Sequence, residues 1–339
     1  MYRRDISLAI ALIGVMLLSA SGTLVPTPDL DQLVDSSTLI VRGEVVSFQP
    51  GILSSVEFNN GRVDVRSDLG LLRVDEFVKG SAEAPLLPYT FLTPVEPIGW
   101  RIPPAGAYGL FFLQVSAGGE VQFADTYYPY APTMQNVASV GDSPLERAIS
   151  VLGAALSNAS SSDESRRAAL TYLQSSKSEY SGDALREALS APDPQLRLAV
   201  ASSLLFQGDG AGLGVIKEAF LPGSSEESES SAESIGNAML LYLTGPEFVP
   251  DLEDLLGSPS VHIRRGAAGA LRRIGTPEVT RGLLRALDDT DFRVRYYAVV
   301  GMAEATGQSA WRPSEETFQD DELTYLTHWR DWASTFRIP

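Results

Sequence analysis

Three stretches of 20 residues decide the fold of the second half of the chain. They read LREALSAPDPQLRLAVASSL at 185–204, LEDLLGSPSVHIRRGAAGAL at 252–271 and LLRALDDTDFRVRYYAVVGM at 283–302. When the stretches are aligned on Arg197, Arg264 and Arg295, each has leucines twelve and eight residues before its arginine. A spacing of four residues places paired leucines on one face of a helix. Each stretch therefore predicts a helix, a tight turn and a second helix.

Two weaker units extend this repeat. Arg166 lies 31 residues before Arg197, and Ser234 lies 30 residues before Arg264. The interval from Arg197 to Ser234 is longer than these two intervals. The additional residues fall in an acidic stretch at 222–234, which predicts an extended loop. One helical hairpin cannot bury both of its apolar faces, so successive hairpins must stack. The pattern predicts an α-solenoid of about five hairpins over residues 141–310.

The three quoted stretches closely resemble HEAT repeats of the short, PBS-lyase-like variety. The resemblance implies that polar residues at the turn before the second helix form a ladder that holds neighbouring repeats together. The residues of this chain at those repeat-stacking positions are Asp193, Arg197, Arg264, Asp291 and Arg295. Ser234 and Ser260 depart from the pattern.

The first half of the chain, residues 25–140, has the pattern of β-strands. Residues 38–48 (TLIVRGEVVSF), 70–79 (GLLRVDEFVK) and 108–115 (YGLFFLQV) are rich in β-branched and aromatic residues. Gly43 interrupts the first of them, as at a bulge or a sharp bend. Five to seven short strands in about 100 residues predict a small antiparallel barrel or sandwich. The whole chain is therefore predicted to be α+β with two domains.

The order TLIVRGEVVSF, LRVDEFVKG and GAYGLFFL resembles netrin-like modules and the tissue inhibitors of metalloproteinases. The resemblance implies an OB-type β-barrel at the N-terminal side of the chain. In those inhibitors an N-terminal cysteine clamps the catalytic metal of the target enzyme. This chain has no cysteine, so only the barrel is expected here.

Residues 1–22 have the pattern of a signal peptide. Arg3 and Arg4 precede an apolar run at 6–18, and small residues follow it. This run of 13 residues, interrupted only by Ser7 and Gly14, is short for a membrane span of about 20. We expect an exported protein, periplasmic or extracellular, without a membrane segment in its mature form. An uncleaved anchor is the alternative.

Composition narrows the function. Asp and Glu number 43 against 26 Lys and Arg, and the formal net charge of −17 argues against nucleic acid as a partner. The absence of cysteine excludes disulfides and thiol catalysis, and only His262 and His328 could act as imidazole bases. No nucleophile elbow, zinc-binding helix or phosphate loop occurs. We therefore predict no catalytic residue, no cofactor and no metal site.

One basic segment, residues 262–295, stands out in this acidic chain. Arginine presents a planar fork of donors that binds carboxylates. The candidate partner-binding residues are Arg265, Arg272, Arg281 and Arg285. The alternative interpretation is that acidic residues of neighbouring helices neutralise the segment.

Aromatic residues cluster in two further places. The tail at 311–339 carries Tyr325, Trp329, Trp332 and Phe336, and predicts an aromatic helix that caps the last repeat. A partner-binding role for this helix is the alternative. Tyr127–Tyr130 predicts closure of the barrel or packing against the first helix, with peptide or sugar stacking as the alternative.

These features together predict an exported, non-enzymatic scaffold or adaptor whose solenoid binds a protein partner. The main alternative is an accessory or inhibitor-like protein that binds an exported enzyme through its β-domain. An enzyme is a third class, because bilin lyases share the repeat family. The predicted export signal argues against that class, since the partners of those lyases are cytoplasmic.

Overall fold

The computed structural model describes residues 17–18, 24–25, 28–58, 61–222 and 229–335. The chain divides into two compact units, Met1–Ala188 and Leu189–Pro339. Except for Leu17–Leu18, the predicted signal peptide lies outside the described residues. The boundary predicted near residue 140, between the β-domain and the first repeat, stays a prediction.

The first unit contains a six-stranded sheet. The described strands are β1 (Leu17–Leu18), β2 (Leu24–Val25), β3 (Leu39–Phe58), β4 (Gly61–Lys79), β5 (Leu86–Pro94), β6 (Tyr108–Val115), β7 (Val121–Phe123) and β8 (Tyr130–Pro132). β1 pairs only with β2. The other six form one sheet in the order β3-β4-β5-β7-β6-β8, with an additional pairing between β3 and β6.

The prediction of a purely antiparallel sheet is wrong, because β5 and β7 pair in parallel through Thr90 and Gln122. Strand direction alternates along the chain from β3 to β7. β5 and β7 therefore run the same way, and any pairing between them must be parallel. Because this pairing is a single residue pair, the closed OB-type barrel stays a prediction.

Alternate residues of each strand point to the inner face of the sheet, and these residues are apolar. Val41, Val45, Leu72 and Phe111 are fully buried in this cluster. The predicted irregularity at Gly43 is present as a shift of register between Arg42 and Gly43. A Cβ at Gly43 would overlap the carbonyl oxygen of Arg73, so the close approach of β3 and β4 requires glycine here.

A buried carboxylate holds a second irregularity in β3, between Gln49 and Ile52. Asp68 of β4 is 1% exposed and accepts hydrogen bonds from the backbone N–H of Gly51 (3.0 Å) and from the Thr93 hydroxyl (2.7 Å). Its two oxygens also bind Arg66 at 2.6 and 2.8 Å. The Arg66 guanidinium, with the Gly51 and Thr93 donors, lowers the pKa of Asp68 from 3.8 to about 2.

Asp68→Asn is expected to lower the free energy of unfolding by about 2 kcal/mol at neutral pH, because it leaves the Arg66 guanidinium without its counter-ion. The folded-state pKa lies below the ordinary value, so this stabilisation is complete above pH 3.8 and is lost as the pH falls towards 2. Denaturant titrations at neutral and acidic pH should therefore show that the difference in free energy of unfolding between the wild type and Asp68→Asn becomes smaller in acid. Asp64→Asn, an exposed change on the same strand, is the control. Equal losses for both variants would contradict this account.

In the described part of the first unit, four helices accompany the sheet: α1 (Leu30–Ser36), α2 (Pro144–Ser157), α3 (Asp163–Leu173) and α4 (Glu179–Ala188). Tyr172 of α3 is fully buried, donates a hydrogen bond to the Tyr130 carbonyl (3.0 Å) and stacks on Phe112. Tyr128 meets the same ring edge-on. The Tyr127–Tyr130 segment therefore packs against α3, and Tyr130 also pairs with Phe111 of β6 in the sheet.

The second unit is helical. Its helices are α5 (Pro194–Phe206), α6 (Leu213–Phe220), α7 (Glu229–Tyr242), α8 (Val249–Leu255), α9 (Val261–Ile274), α10 (Thr280–Ala286), α11 (Phe292–Thr306), α12 (Glu315–Asp320) and α13 (Glu322–Thr335). Helices α5, α7, α9 and α11, the second helices of successive predicted hairpins, pack side by side in that order. This confirms a solenoid-like helical region.

The predicted loop at 222–234 is wrong for its last six residues, because α7 begins at Glu229. Ala232 and Ile235 are buried in the helical core, so packing stabilises a helix that the polar composition did not predict. Residues 223–228 lie outside the described part of the chain.

Glycines allow α7 and α9 to pack backbone to backbone. A Cβ at Gly266 would lie 2.6 Å from the Cα of Gly236 and would overlap its carbonyl oxygen. Ala267 and Ala268, the small residues next in α9, are fully buried. Small residues after the register arginine thus permit the close approach that the repeat requires.

The C-terminal segment contains two helices rather than the single predicted one, α12 and α13, with a break at Asp321. Phe318 and Trp329 are fully buried and belong to the same core as α9 and α11. Whether the segment acts as a cap on the last hairpin stays a prediction. Phe336 lies outside the described residues. In the described part of the chain, no helix has the length and apolar character needed to cross a membrane.

Candidate functional site

The three register arginines make the same contact with their own hairpins. Nη1 of Arg197, Arg264 and Arg295 donates to the carbonyl oxygen six residues earlier, at 3.2, 3.0 and 2.8 Å respectively. Each of these carbonyls lies before the start of the second helix, so the arginine ties the turn of the hairpin to that helix. Identical sequence register produces identical geometry.

The same arginines also reach a carboxylate further along the chain. Arg197 lies 3.6 Å from Glu218 of α6, Arg264 lies 2.7 Å from Asp289 before α11, and Arg295 pairs with Glu322 of α13. Each contact joins one helical hairpin to the next element of the array. That these arginines form the stacking ladder implied by the resemblance stays a prediction.

The aspartates at the repeat-stacking positions cap their own helices. Asp193 accepts from the backbone N–H of Gln195 at 3.0 Å, as expected of an N-cap. Asp291 accepts from the N–H groups of Arg293 and Val294 at 3.1 and 3.2 Å. Asp291 also binds Arg265 at 2.6 Å, and this guanidinium lowers the pKa of the Asp291 carboxyl.

Three of the four candidate partner-binding arginines have carboxylate partners within the chain. Arg265 pairs with Asp291, Arg272 lies 3.1 Å from Glu304, and Arg281 pairs with Glu253. These contacts correspond to the alternative interpretation, in which acidic residues neutralise the basic segment. Arg285 is exposed, and it is the one of the four that forms no ion pair with any residue that the structure describes.

Ion pairs also link the first helices of neighbouring hairpins. Lys217 of α6 lies 2.6 Å from Asp251 and 3.1 Å from Asp254 of α8, and these carboxylates raise its pKa. Glu253 of α8 then pairs with Arg281 of α10. Both rows of helices are therefore linked by ion pairs between successive hairpins.

His328, the histidine of the cap, packs between aromatic rings. Its ring stacks on Trp311 with centroids 3.5 Å apart and planes at 6°, and it meets Trp329 edge-on. Burial lowers the pKa of His328. His328 is therefore a packed member of the aromatic cluster in this segment. Among the described residues, no group of three or more His, Asp or Glu side chains is placed to hold a metal ion.

The repeated hairpin, the ion pairs between hairpins and the close packing of α7 on α9 together describe one type of repeat. Residues 232–303 match the family model for HEAT repeats. The matched segment runs from α7 to α11 and contains Arg265, Arg272, Arg281 and Arg285. No curated protein matches the chain significantly.

Within the HEAT segment, three arginines remain without a carboxylate partner in the described part of the chain. We call Arg273, Arg285 and Arg293 the free arginine set; all three are exposed. Arg273 and Arg293 were not among the candidate residues, although they lie in the same basic segment. Sequence position could not separate them from Arg272 and Arg295, because pairing depends on which acidic residue the neighbouring hairpin presents.

Proposed function

We propose that the chain is an exported, non-enzymatic scaffold whose HEAT segment binds an acidic segment of a protein partner. Stacked helical hairpins present an extended surface on which many side chains can contact a partner. HEAT repeats commonly mediate interactions between proteins, which supports a protein as the partner. Export is proposed on the pattern of residues 1–22.

The free arginine set carries this proposal. The other basic side chains of the HEAT segment already have carboxylate partners, as for Arg264 with Asp289 and Arg265 with Asp291. A guanidinium that is exposed and unpaired can bind a partner carboxylate without first breaking an internal ion pair. The chain's net charge of −17 makes such positions the favourable place for an acidic partner to approach.

The test is a quantitative affinity enrichment from the exported fraction of the native cell. The wild-type chain is compared with the variant R273E/R285E/R293E. The control variant R62E/K177E/R186E makes the same change of charge at exposed residues of the first unit. We expect the free-arginine variant to retain about one tenth of the enriched partner, and the control to retain all of it. Equal retention by both variants would overturn the proposal.

A second candidate function places the binding surface on the β-domain, as in an accessory protein of an exported enzyme. The outer halves of β3 and β4 favour it. β6 pairs with β3 at residues 39–44, and Val45 bonds to the backbone of Gly106 and Ala107, so within the described residues the edge of β3 is open beyond Val45. Ile52 and Leu53 on this edge are 81% and 69% exposed, and residues 45–56 contain no charge. An uncharged open edge can accept an extended strand of a partner.

The same enrichment experiment separates the two candidates. The variant I52K/L53K places charges on the open edge of β3 without touching the HEAT segment. Loss of the partner with this variant, and full retention with R273E/R285E/R293E, would assign binding to the β-domain. The opposite pattern would assign it to the HEAT segment.

A further inference from the structure

A cleft of about 680 Å³ lies within the first unit. Helix α3 forms one wall, and strand β8 with the segment before β6 forms the other. Its apolar lining includes Ile102, Pro132 and Leu170, with the buried Tyr130 beside them. Arg101 and Arg167 contribute the positive charges of the lining. We propose that this cleft binds a ligand that carries one carboxylate on an apolar body.

Arg101 contacts an aromatic ring next to the cleft. Its backbone N–H donates to the Thr126 carbonyl at 3.1 Å, and its guanidinium carbon lies 5.5 Å from the centroid of the Tyr128 ring. Tyr128 is in turn buried against Tyr172 of α3. No Asp or Glu in the described ranges forms an ion pair with Arg101. A guanidinium fixed over an aromatic face keeps its donors available for an anion.

The two consecutive arginines of α3 are in different situations. Arg166 pairs with Asp163 at 3.3 Å and donates to the Ala159 carbonyl at 2.7 Å. Arg167 points to the cleft and has no ion-pair partner among the residues that the structure describes. The helix therefore uses one arginine to secure its own start and leaves the next one to the cleft.

Charge and lining together restrict the ligand. Arg101 and Arg167 supply two positive charges, and Glu164, one turn before Arg167 on α3, supplies one negative charge to the same cleft. The net charge of +1 suits one carboxylate and disfavours a second. Ile102, Leu170 and their apolar neighbours suit the body of the ligand, and the volume is in the range of small-molecule sites.

Two sources could supply a carboxylate on an apolar body. One is a free organic acid with an aliphatic chain, and the other is the C-terminus of a peptide that ends in apolar residues. The chemistry at Arg101 and Arg167 is the same for both. The site lies in the first unit, so this proposal is independent of the free arginine set in the second.

The test is isothermal titration of the full chain with octanoate and with a peptide that ends in two leucines, each alongside its neutral amide. We expect at least one of the two acids to bind, and to bind about tenfold more tightly than its amide. Tighter binding of octanoate would indicate a free acid, and tighter binding of the peptide would indicate a C-terminus. Absence of binding by both acids, or equal affinity of acid and amide, would overturn the proposal.

Variants locate the site. R101Q and R167Q are each expected to weaken binding of the acid about tenfold and to leave binding of the amide unchanged. R186Q is the control. Arg186 is an exposed residue of α4 outside the cleft lining, and it pairs with Asp183 at 2.5 Å. This substitution should not change the affinity for the acid or for the amide. Wild-type affinity in both R101Q and R167Q would show that the acid binds elsewhere and would refute this assignment.

Discussion

Trp329→Ala is expected to lower the free energy of unfolding of the helical unit by about 3–5 kcal/mol. Trp329 is fully buried in α13 and belongs to the same core as Phe318 and the residues of α11. Its ring meets Trp332 and His328 edge-on. Truncation to alanine leaves a cavity that neighbouring helices cannot fill without moving, and it exposes the apolar end of the last hairpin.

Denaturant unfolding followed by the helical circular dichroism signal measures this loss, and hydrogen exchange of α11–α13 locates it. Trp332→Ala is the matched control, since Trp332 is only partly buried against the same cluster. We expect the control to cost less than half as much. If both substitutions cost the same, or if exchange of α11 does not change, the cap does not stabilise the last hairpin.

Gly266→Ala is expected to destabilise the helical unit by about 3 kcal/mol. The added methyl group would overlap the backbone of Gly236, and backbone atoms cannot turn aside as a flexible side chain can. Helices α7 and α9 would have to separate, and the buried contacts on both sides of the pair would loosen. The penalty comes from tertiary contact, since alanine alone favours a helix more than glycine does.

Gly214→Ala is the control for this prediction. Gly214 is an exposed residue of α6, and a Cβ there would have no neighbouring atom within 4 Å. The same substitution is therefore expected to be neutral or to stabilise the protein by about 0.5 kcal/mol. In both thermal and denaturant unfolding, the midpoint should fall for Gly266→Ala and should rise or stay unchanged for Gly214→Ala. Similar small effects at both positions would mean that α7 and α9 do not pack as described.

The basic segment shows how an acidic chain uses its arginines. Arg264, Arg265 and Arg281 bind carboxylates that lie 25 to 28 residues away in the sequence. That separation is close to one repeat, so each hairpin neutralises charge presented by its neighbour. In the proposed function, a partner would bind the arginines that have no carboxylate partner within the described structure.

The candidate site was therefore predictable only in part. The sequence indicated that residues 262–295 carry the basic surface, but it selected Arg265, Arg272 and Arg281, which have internal partners. Of the selected residues, Arg285 is the one that remains exposed without a partner in the described structure. The cleft at Arg101 and Arg167 gave no sequence signal, because its two arginines come from segments 66 residues apart.

The sequence by itself determined the helical hairpins, since the spacing of leucines and the position of the register arginine are local properties of a repeating unit. It also determined that β-strands precede them, through runs of β-branched and aromatic residues. The sequence predicted the repeat at Ser234 but missed the start of helix α7 at Glu229, because the first turn is polar and is stabilised by burial of Ala232.

Tertiary structure alone decided the parallel pairing of β5 with β7, the partner of each arginine and the meeting of Arg101 with Arg167 in one cleft. These features depend on which residues distant in the chain become neighbours. Local patterns of polarity determine whether a segment is a helix or a strand, whereas ion pairs and clefts arise only when the packed elements bring their side chains together.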